Sequence, residues 1–390
     1  MLKLGGTLIP VQPVEEAAAP LLLKLSTHPQ LPEVLRRERA YLVGRDSIPP
    51  SYRHYLIPEA LMKRAAELEP GASFSLLPVE YHYLGHDDIV RLSADRQKIR
   101  VLFRARSPHN SLLMTEQCNH YCLMCSQPPK RVDDSWLLDE IEALIPLIPK
   151  DTQEIGFTGG EPTLNRARFL HILGRTQAYL PRTAVHVLSN GRSFADPAFA
   201  AEYARLGHHD LMVGIPLYSD DPTRHDYIVQ AQGAFDETIR GILNLKRLGQ
   251  KVEVRIVLHQ QSILRLPQLC EFIARNLLFV DHVALMGLEM MGFTRANLDT
   301  LWIDPADYRD VLSEAVAILA HYRLNISVYN HQLCLVNDDI LPYYRKSISD
   351  WKNEYVQECQ ACARRAECGG FFASGVQHGY SKQLKPFAAP

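Results

Sequence analysis

Two groups of cysteines have the spacing of sites that bind a metal ion or an iron–sulfur cluster. In the first group, Cys118, Cys122 and Cys125 follow the pattern C-x3-C-x2-C. Three thiolates in one loop can ligate three irons of a [4Fe–4S] cluster, which leaves the fourth iron open to an exchangeable ligand. An open coordination position is typical of sites that carry out chemistry. A zinc site with His120 as its fourth ligand, or three unconnected thiols, would fit the same residues.

The second group lies further along the chain and contains four cysteines. Cys334 stands upstream, and Cys359, Cys362 and Cys368 follow the pattern C-x2-C-x5-C. Four thiolates would saturate either a [4Fe–4S] cluster or a tetrahedral zinc ion, and the spacing alone does not separate the two. A site with only protein ligands would relay electrons or stabilise the fold. The remaining cysteine, Cys270, falls on an apolar helical stripe, so we expect it in the core.

The elements that position these cysteines follow a regular alternation from residue 111 onwards. Short apolar runs at 111–114, 154–158, 184–189, 211–217, 252–258 and 283–288 alternate with helical patterns at 136–145, 166–179, 197–206, 235–248 and 266–276. Apolar strands separated by helices predict a parallel sheet that is covered by helices. Six such units predict an α/β fold of the partial (β/α)6 barrel type, with functional residues in the loops that follow the strands.

The sequence divides into three predicted domains, in keeping with its 390 residues. Residues 1–107 form an N-terminal, partly β module with predicted strands at 89–92 and 99–103. Residues 108–300 form the barrel. Residues 301–390 contain a predicted helix at 305–321, a strand at 324–329 and the cysteine-rich extension.

Composition limits the partners and the location of the protein. The net charge is −2 and no basic stripe with interleaved aromatic residues is present, so a nucleic-acid partner is not expected. No apolar stretch approaches the length of a membrane span, and the first residues do not form a convincing signal peptide. We therefore expect a cytoplasmic protein with no membrane contact, whose eight cysteines are metal ligands sooner than disulfides.

Two loops after predicted strands carry further candidate residues. Gly159-Gly160-Glu161-Pro162 follows the second strand, and Ser189-Asn190-Gly191 follows the third. Paired glycines let a backbone approach a ligand closely, and proline fixes the turn. Glu161 would place a negative charge near a cation. The segment 189–191 would also fit an ordinary Asn-Gly turn.

The first cysteine group and the 159–162 turn together resemble the signature of the radical S-adenosylmethionine (SAM) superfamily. The resemblance implies a [4Fe–4S] cluster on Cys118, Cys122 and Cys125, whose open iron binds SAM and whose electron cleaves SAM to a 5′-deoxyadenosyl radical. It also implies an electron donor of the flavodoxin or ferredoxin type.

The same resemblance assigns residues to SAM. The backbone of residues 159–162 would bind the methionyl amine, and Met124, just before the third cysteine, would contact the adenine. Pro216 stands where many relatives carry a serine for the ribose, so another residue would make that contact. Arg255, inside the fifth predicted strand, needs a partner, which could be the SAM carboxylate, Glu161 or Glu253. The further candidates for contacts with SAM are Ser189, Asn190, Tyr218 and Ser219.

The tail and several longer strings carry a narrower resemblance. C-x2-C-x5-C followed by Gly-Gly-Phe resembles the SPASM or twitch tails of radical SAM peptide maturases, which favours a second [4Fe–4S] cluster over zinc. The strings at 110–118, 122–130 and 349–354 resemble the C-type radical SAM maturases of His-Xaa-Ser peptide systems. This resemblance implies a precursor peptide as substrate and a second radical SAM protein as partner.

The peptide assignment leads to two expectations and leaves two alternatives. Residues 1–107 are candidates for recognising the peptide, and His225 and Asp226 lie in a loop that faces the substrate in similar maturases. The pair would equally fit a solvated loop and helix cap. The alternatives are a radical SAM enzyme acting on a small molecule, as in molybdopterin biosynthesis, and a zinc protein without enzymatic activity.

Overall fold

The structure is a computed structural model that describes residues 2–9, 11, 19–346 and 353–388. The first seven strands form one mixed sheet in the order β1-β7-β6-β2-β3-β4-β5. Their bounds are β1 Gly5–Thr7, β2 Leu21–Ser26, β3 Arg39–Leu42, β4 His54–Pro58, β5 Phe74–Leu77, β6 Ile89–Leu92 and β7 Lys98–Phe103, with a short helix α1 at Glu33–Arg36. The strands predicted at 89–92 and 99–103 pair as an antiparallel hairpin, which confirms that prediction.

The next seven strands form a parallel sheet in sequential order from β8 to β14. Their bounds are β8 Ser111–Thr115, β9 Glu154–Gly159, β10 Ala184–Leu188, β11 Leu211–Pro216, β12 Lys251–Leu258, β13 His282–Gly287 and β14 Ile326–Tyr329. The helices are α2 Trp136–Leu144, α3 Arg166–Tyr179, α4 Pro197–Arg205, α5 Pro222–Val229, α6 Ala234–Arg247, α7 Gln260–Ile263, α8 Leu266–Asn276, α9 Phe293–Ala296, α10 Leu298–Leu301, α11 Pro305–His321 and α12 Ala373–His378. The predicted α/β class with a parallel sheet is confirmed, and β14 continues this sheet beyond residue 300.

The two faces of the parallel sheet differ. One face carries fully buried side chains such as Ile155, Phe157 and Val187, which belong to the main core formed with the helices. Burying each such side chain stabilises the fold by about 1.5–3 kcal/mol. The alternate positions, for example His186 and Arg255, are only partly buried. The second face of the sheet is therefore partly polar, whereas the first face is apolar.

The N-terminal sheet packs against the parallel sheet through α2. The guanidinium groups of Arg91 and Arg100 both contact the ring of Trp136, at 4.9 and 5.2 Å from the ring centroid. Glu140, one turn further along α2, pairs with Arg91 at 2.5 Å and with Arg100 at 3.1 Å. Cation–π contacts and a shared carboxylate therefore connect the N-terminal sheet to α2. Among the described residues, no helix combines the length and apolar character needed to cross a membrane.

Candidate metal centre and ligand cavity

The first cysteine loop begins where β8 ends, and contacts from distant segments fix its backbone. Leu123 donates its N–H to the carbonyl of Ile228 at the end of α5 (2.9 Å). The hydroxyl of Thr294 in α9 donates to the carbonyl of Met124 (3.0 Å), and the N–H of Phe293 donates to that of Cys125 (2.8 Å). The loop is therefore held by elements that follow two later strands, β11 and β13.

The base of the loop is fixed by a buried carboxylate. Asp134 accepts hydrogen bonds from the Thr115 hydroxyl (3.0 Å), the Glu116 N–H (2.5 Å) and the Gln117 side chain (3.1 Å). Sequence reasoning did not single out Asp134, because an aspartate before a helix is usually an ordinary cap. Its place two residues before α2 was the one signal available.

The three thiols are mostly buried, and burial raises the pKa of each. The pKa of Cys118 rises to about 11, that of Cys122 rises further, and that of Cys125 is raised as well. These thiols stay protonated unless a bound cation draws off the protons, which is the usual coupling between metal binding and thiol ionisation. A set of soft sulfur donors suits an iron–sulfur cluster or zinc. Within the described residues, no three His, Cys, Asp or Glu side chains converge on the position of a single metal ion.

His120 lies between the first two cysteines and is buried. Its ring Nδ1 is 3.9 Å from the Cys122 sulfur, and its backbone N–H donates to the Cys118 sulfur at 3.3 Å. Burial lowers the pKa of His120 to about 3, so the ring is neutral at physiological pH. Its Nε2 is buried without a hydrogen-bond partner. The residue therefore shapes the loop with an uncharged ring.

The Gly159-Gly160 turn lies directly against the cysteine loop. The N–H of Gly160 donates to the Thr115 carbonyl, and the N–H of Glu161 donates to the Gln117 carbonyl, both at 2.8 Å. A Cβ at position 160 would collide with the Gln117 carbonyl oxygen. At position 159, where φ is +153°, a Cβ would collide with the Thr115 carbonyl oxygen. Glycine is required here because the two loops are in backbone contact.

Glu161 does not occupy the position that the sequence suggested. Its side chain is fully buried, and its carboxylate accepts hydrogen bonds from the hydroxyls of Thr163 (2.5 Å) and Ser189 (2.8 Å) and from the Asn190 N–H (2.6 Å). Burial raises the pKa of Glu161, and these hydrogen bonds oppose the rise. The expectation of a charge facing a bound cation is thus corrected: the carboxylate joins the 159–162 turn to the 189–191 turn.

The 189–191 turn is in turn bonded to the cysteine loop. The side-chain amide of Asn190 donates to Asn119 Oδ1 at 2.6 Å, and Arg192 Nη1 donates to the Asn119 carbonyl at 3.2 Å. Sequence reasoning selected Asn190 but missed Asn119 and Arg192. Asn119 lies between two candidate ligands, which was the available signal. The loops after the first three strands of the parallel sheet therefore form one hydrogen-bonded unit.

A cavity of about 580 Å³, which we call the lumen, lies on the partly polar face of the parallel sheet. Its lining includes Met124, Ser126 and Gln127 from the cysteine loop. The strands contribute Thr158, Leu188, Arg255, Val257 and Met286, and the N-terminal domain contributes residues 101–104. Met124 and Arg255, both predicted to contact SAM, are therefore placed at one cavity. Glu161, Ser189 and Asn190 are not among the residues that line it.

Arg255 is held in the lumen by a buried polar network. Its guanidinium donates to Glu253 at 2.5 Å and contacts the Met286 sulfur at 3.2 Å. Glu253 also bonds to His282 Nδ1 at 2.6 Å and lies 3.5 Å from His186 Nε2. Burial alone would raise the pKa of Glu253, but the hydrogen bond with His282 and the charges of Arg255 and the histidines lower it to about 2. Of the partners expected for Arg255, the structure provides Glu253.

Tyr218 and Ser219, which follow β11, both have contacts within the protein. Tyr218 is buried in an apolar cluster with Met124, beside Cys122, and burial raises its pKa. The Ser219 hydroxyl accepts a hydrogen bond from the Asp221 N–H at 3.1 Å. Tyr218 is therefore close to the cysteine loop, while Ser219 serves the turn that begins α5.

His225 and Asp226 have contacts within the protein and do not line the lumen. His225 is fully buried, and its Nδ1 accepts the Tyr218 N–H at 3.2 Å. Asp226 accepts the N–H groups of Gly233 (2.5 Å) and Phe235 (2.9 Å) at the start of α6. This placement corrects the expectation of a substrate-facing pair. The helix-cap alternative describes Asp226, since its acceptor oxygens satisfy the free amides of α6.

The second cysteine group meets in one small cavity. Cys334, Cys359, Cys362 and Cys368 line it together, along with Leu384, Pro386 and Phe387 from further along the chain. The Cys368 sulfur accepts the N–H groups of Leu333 (3.3 Å) and Gly370 (3.4 Å). Burial raises the pKa of Cys334 and Cys359. Part of the 349–354 string, residues 349–352, lies outside the described residues. Cys270 is in the main core, as expected.

The comparisons with known proteins concern mainly the parallel sheet. Residues 112–273 match the model of the radical SAM superfamily. The Fe-coproporphyrin III synthase of Methanosarcina barkeri is 27% identical over 164 residues, 41% of this chain and 39% of that protein. The "Probable GTP 3',8-cyclase" of Methanocella arvoryzae is 30% identical over 131 residues, 33% of this chain and 40% of that protein. Streptococcus suis SuiB bound to S-adenosylmethionine is similar in structure, with a TM-score of 0.47 and 16% identity over 57% of this chain and 50% of that chain.

The family match supports the coarser expectation drawn from the cysteine loop. The α/β domain is similar to the radical SAM superfamily over 112–273, and that superfamily consists of enzymes that use a [4Fe–4S] cluster and SAM. The chain spans about two fifths of the length of the curated relatives it matches. The substrate therefore has to be argued from this molecule's own residues.

Proposed function

We propose that the protein is a radical SAM peptide maturase of the His-Xaa-Ser type. Cys118, Cys122 and Cys125 would hold the [4Fe–4S] cluster, and SAM would occupy the lumen. The observation that carries this proposal is that the cysteine loop, the glycine turn and the lumen adjoin at the carboxyl ends of parallel strands, where such folds place their function. When bound, the cluster and SAM would supply a 5′-deoxyadenosyl radical that abstracts hydrogen from the substrate.

The chain's own residues would position SAM and exclude water. The backbone contacts of Gly159 and Gly160 fix the rim of the site, and the Asn119–Asn190 bond keeps the third loop against it. Met124 offers a polarisable apolar surface for the adenine. Arg255 lines the lumen and would bind the SAM carboxylate, while its hydrogen bond to Glu253 fixes its orientation. Tyr218, beside Cys122, would limit access to the cluster from the α5 side.

The size of the lumen favours a substrate that is larger than a small metabolite and that enters the cavity only in part. Its volume of about 580 Å³ is in the range of ligand pockets of about 300–1,000 Å³, so SAM alone would fill much of it. A substrate bound beside SAM could then bring only one side chain to the 5′ carbon of SAM. A peptide could place that side chain inside and leave its backbone at the mouth, beside the N-terminal domain that lines the cavity with residues 101–104. We assign peptide recognition to residues 1–107.

The remaining parts of the proposal concern the tail and the partners. The four cysteines of the second cavity would hold a second [4Fe–4S] cluster in a SPASM or twitch-like extension. The α/β domain would form a partial barrel around the lumen. A flavodoxin or ferredoxin type protein would donate electrons, a second radical SAM protein would act in the same system, and a reducing cytoplasm would keep the thiols available.

A second candidate function is radical SAM chemistry on a small molecule. It is favoured by the similarity to the two curated relatives, whose names refer to a porphyrin and to GTP. The lumen's Arg255 would then also be available to an anionic substrate.

One experiment separates these functions. The full chain is reconstituted anaerobically with iron and sulfide, reduced with dithionite, and assayed for 5′-deoxyadenosine with SAM alone, with synthetic peptides that carry His-Xaa-Ser repeats, and with GTP. We expect the peptide to stimulate 5′-deoxyadenosine formation, and we expect the mass of the peptide itself to change. Stimulation by GTP alone would favour the second candidate. Zinc in place of iron, with no 5′-deoxyadenosine in any arm, would contradict both.

A further inference from the structure

A side pocket opens at the carboxyl ends of β12, β13 and β14, on the same side of the sheet as the cysteine loop. Its walls are formed by apolar and aromatic side chains, among them Leu288, Met290, Trp302, Tyr308 and Phe371. Trp302 stands partly in solvent, with 37% of its surface exposed, so the pocket is open to ligands at this edge.

The side pocket and the lumen are adjacent. Gly287, Leu288 and Asn330 line both cavities. A Cβ at position 287 would collide with the carbonyl oxygen of Asn330, and Asn330 has a left-handed backbone with φ of 61°. The backbones of residues 287 and 330 are therefore in contact where the two cavities adjoin. A ligand bound in the lumen at these residues would have the side pocket beside it.

The polar groups around the pocket are used to build its walls. The Tyr308 hydroxyl bonds to His331 Nε2 at 2.9 Å, and the Gln332 side chain donates to the Gly370 carbonyl at 2.8 Å. The Gly369 N–H donates to the Tyr344 hydroxyl at 2.7 Å. These bonds connect the end of β14 to the segment that follows Cys368. Apolar atoms form the larger part of the surface that a ligand would meet, and polar atoms form the rest.

Charge decides the class of that ligand. None of the described residues that line the pocket is Asp, Glu, Lys, Arg or His. A charged or strongly polar group would lose its hydration here without gaining an ionic partner, which is costly. An apolar group would gain about 25 cal/mol for each Å² that it removes from water.

We infer that the side pocket binds an apolar side chain of the substrate peptide, next to the residue that enters the lumen. The inference rests on the proposed function for the identity of the peptide, while the pocket itself is defined by its walls. Hydrogen abstraction by a radical has little specificity of its own. A contact in the side pocket would add specificity, because it would fix which hydrogen of the peptide lies near the 5′ carbon of SAM.

The pocket is tested first with a small probe on the full chain. Trp302 becomes the only tryptophan when Trp136 and Trp351 are replaced by Phe, because the sequence contains three. Titration with N-acetyl-L-leucinamide should shift the Trp302 emission to shorter wavelength in a saturable way. N-acetyl-L-serinamide should not. Absence of saturable binding by the leucine amide, or equal binding by the serine amide, would overturn the inference.

Gly375→Leu is the variant that fills the pocket. Gly375 lines it, and a Cβ there would meet no heavy atom within 4 Å, so the new side chain enters open space. Gly44→Leu is the matched control, because Gly44 has the same open surroundings in the N-terminal domain. We expect Gly375→Leu to weaken the leucine amide about tenfold and the control to leave it unchanged. Unchanged binding in both variants would overturn the inference.

The enzymatic arm uses the same pair of variants. Gly375→Leu should raise the KM for peptide and leave peptide-independent 5′-deoxyadenosine formation unchanged. If no peptide is modified by the wild-type protein while the leucine amide still binds, the proposed peptide function fails and the apolar site stands. If peptide is modified with the same KM in both variants, the proposed function stands and the inference fails.

Discussion

The two cysteine groups have similar sequence patterns but opposite surroundings. The loop of the first group contributes Met124, Ser126 and Gln127 to the wall of a cavity of about 580 Å³, while the second group itself lines a much smaller cavity with Leu384, Pro386 and Phe387. The first offers three thiols and the second offers four. Three donors beside open space suit a cluster that must bind another molecule, and four donors in an enclosed space suit a site with complete protein ligation. The surroundings therefore fit the different roles proposed for the two groups.

The largest expected effect comes from removing the first group. Replacing Cys118, Cys122 and Cys125 together by Ala should lower the iron content from about eight to about four per chain and abolish 5′-deoxyadenosine formation. Iron analysis and a SAM cleavage assay measure this. Cys270→Ala is the control, since that thiol is buried in the main core, and it should keep both clusters. Zinc in the wild-type protein would remove the basis of the comparison.

Removing part of the second group should have a different result. Cys359→Ala with Cys362→Ala should keep some reductive SAM cleavage and lose the modified peptide, because the proposed radical would be generated at the first group. The melting temperature should also fall, since metal binding and folding are coupled. A thermal melt is therefore the required control. A folded double variant that forms the full amount of peptide product would show that the second group has no part in the reaction.

The charged network in the lumen should be visible as a dependence of stability on pH. The pKa of Glu253 lies at about 2 in the folded protein, below its ordinary value of 4.5. The carboxylate therefore stabilises the fold at pH values above about 4.5, and this contribution is lost as the pH falls towards 2, for a total of roughly 3 kcal/mol.

Glu253→Gln should remove that acid-labile part of the free energy of unfolding. Denaturant titrations at pH 7 and pH 3 measure it, and Glu202→Gln, at an exposed position of α4, is the matched control. The variant should also raise the KM for SAM, because Arg255 loses the carboxylate that orients it. Parallel pH profiles for the two variants would refute the network's role.

The smallest expected effect concerns Asp226. Asp226→Ala removes the acceptor for two amides at the start of α6 and should cost about 1 kcal/mol of stability. The KM for peptide and the coupling of SAM cleavage to modification should not change, because the side chain serves the helix. Chemical denaturation and a product assay measure the two quantities. A loss of coupling with unchanged stability would restore Asp226 as a substrate contact.

The sequence was sufficient for elements whose signal is local. The helix predicted at 305–321 has those bounds in α11, and the strand predicted at 252–258 is one residue longer in β12. Continuous apolar runs and helical periodicity depend only on neighbouring residues. The Gly159-Gly160 turn could also be placed, since glycine pairs mark close backbone contacts.

The sequence was insufficient where the register between strands decides the contacts. Glu253 and His282 are register partners in β12 and β13, and this pairing creates the network that holds Arg255. The available signal was the presence of single polar residues inside apolar strands, such as Glu253 and Arg255 at alternate positions of one strand. This pattern does not identify the partners of these residues, because the partners depend on the register. The same limit applies to His225, because its burial results from packing against Tyr218 and Phe235. Local composition around it is that of an ordinary polar loop.

The residues that close the second cysteine cavity have a consequence for the order of assembly. Its lining runs from Gln332 to Phe387, so the chain must be synthesised through residue 387 before the cavity can close. Among the described residues, the hydrogen bonds that later elements make to the first cysteine loop come from residues up to Asn297. These residues are synthesised before any of the four later cysteines. A cofactor that needs all four later thiols can bind only after residue 368 has been synthesised, when the segments that hold the first loop are already present.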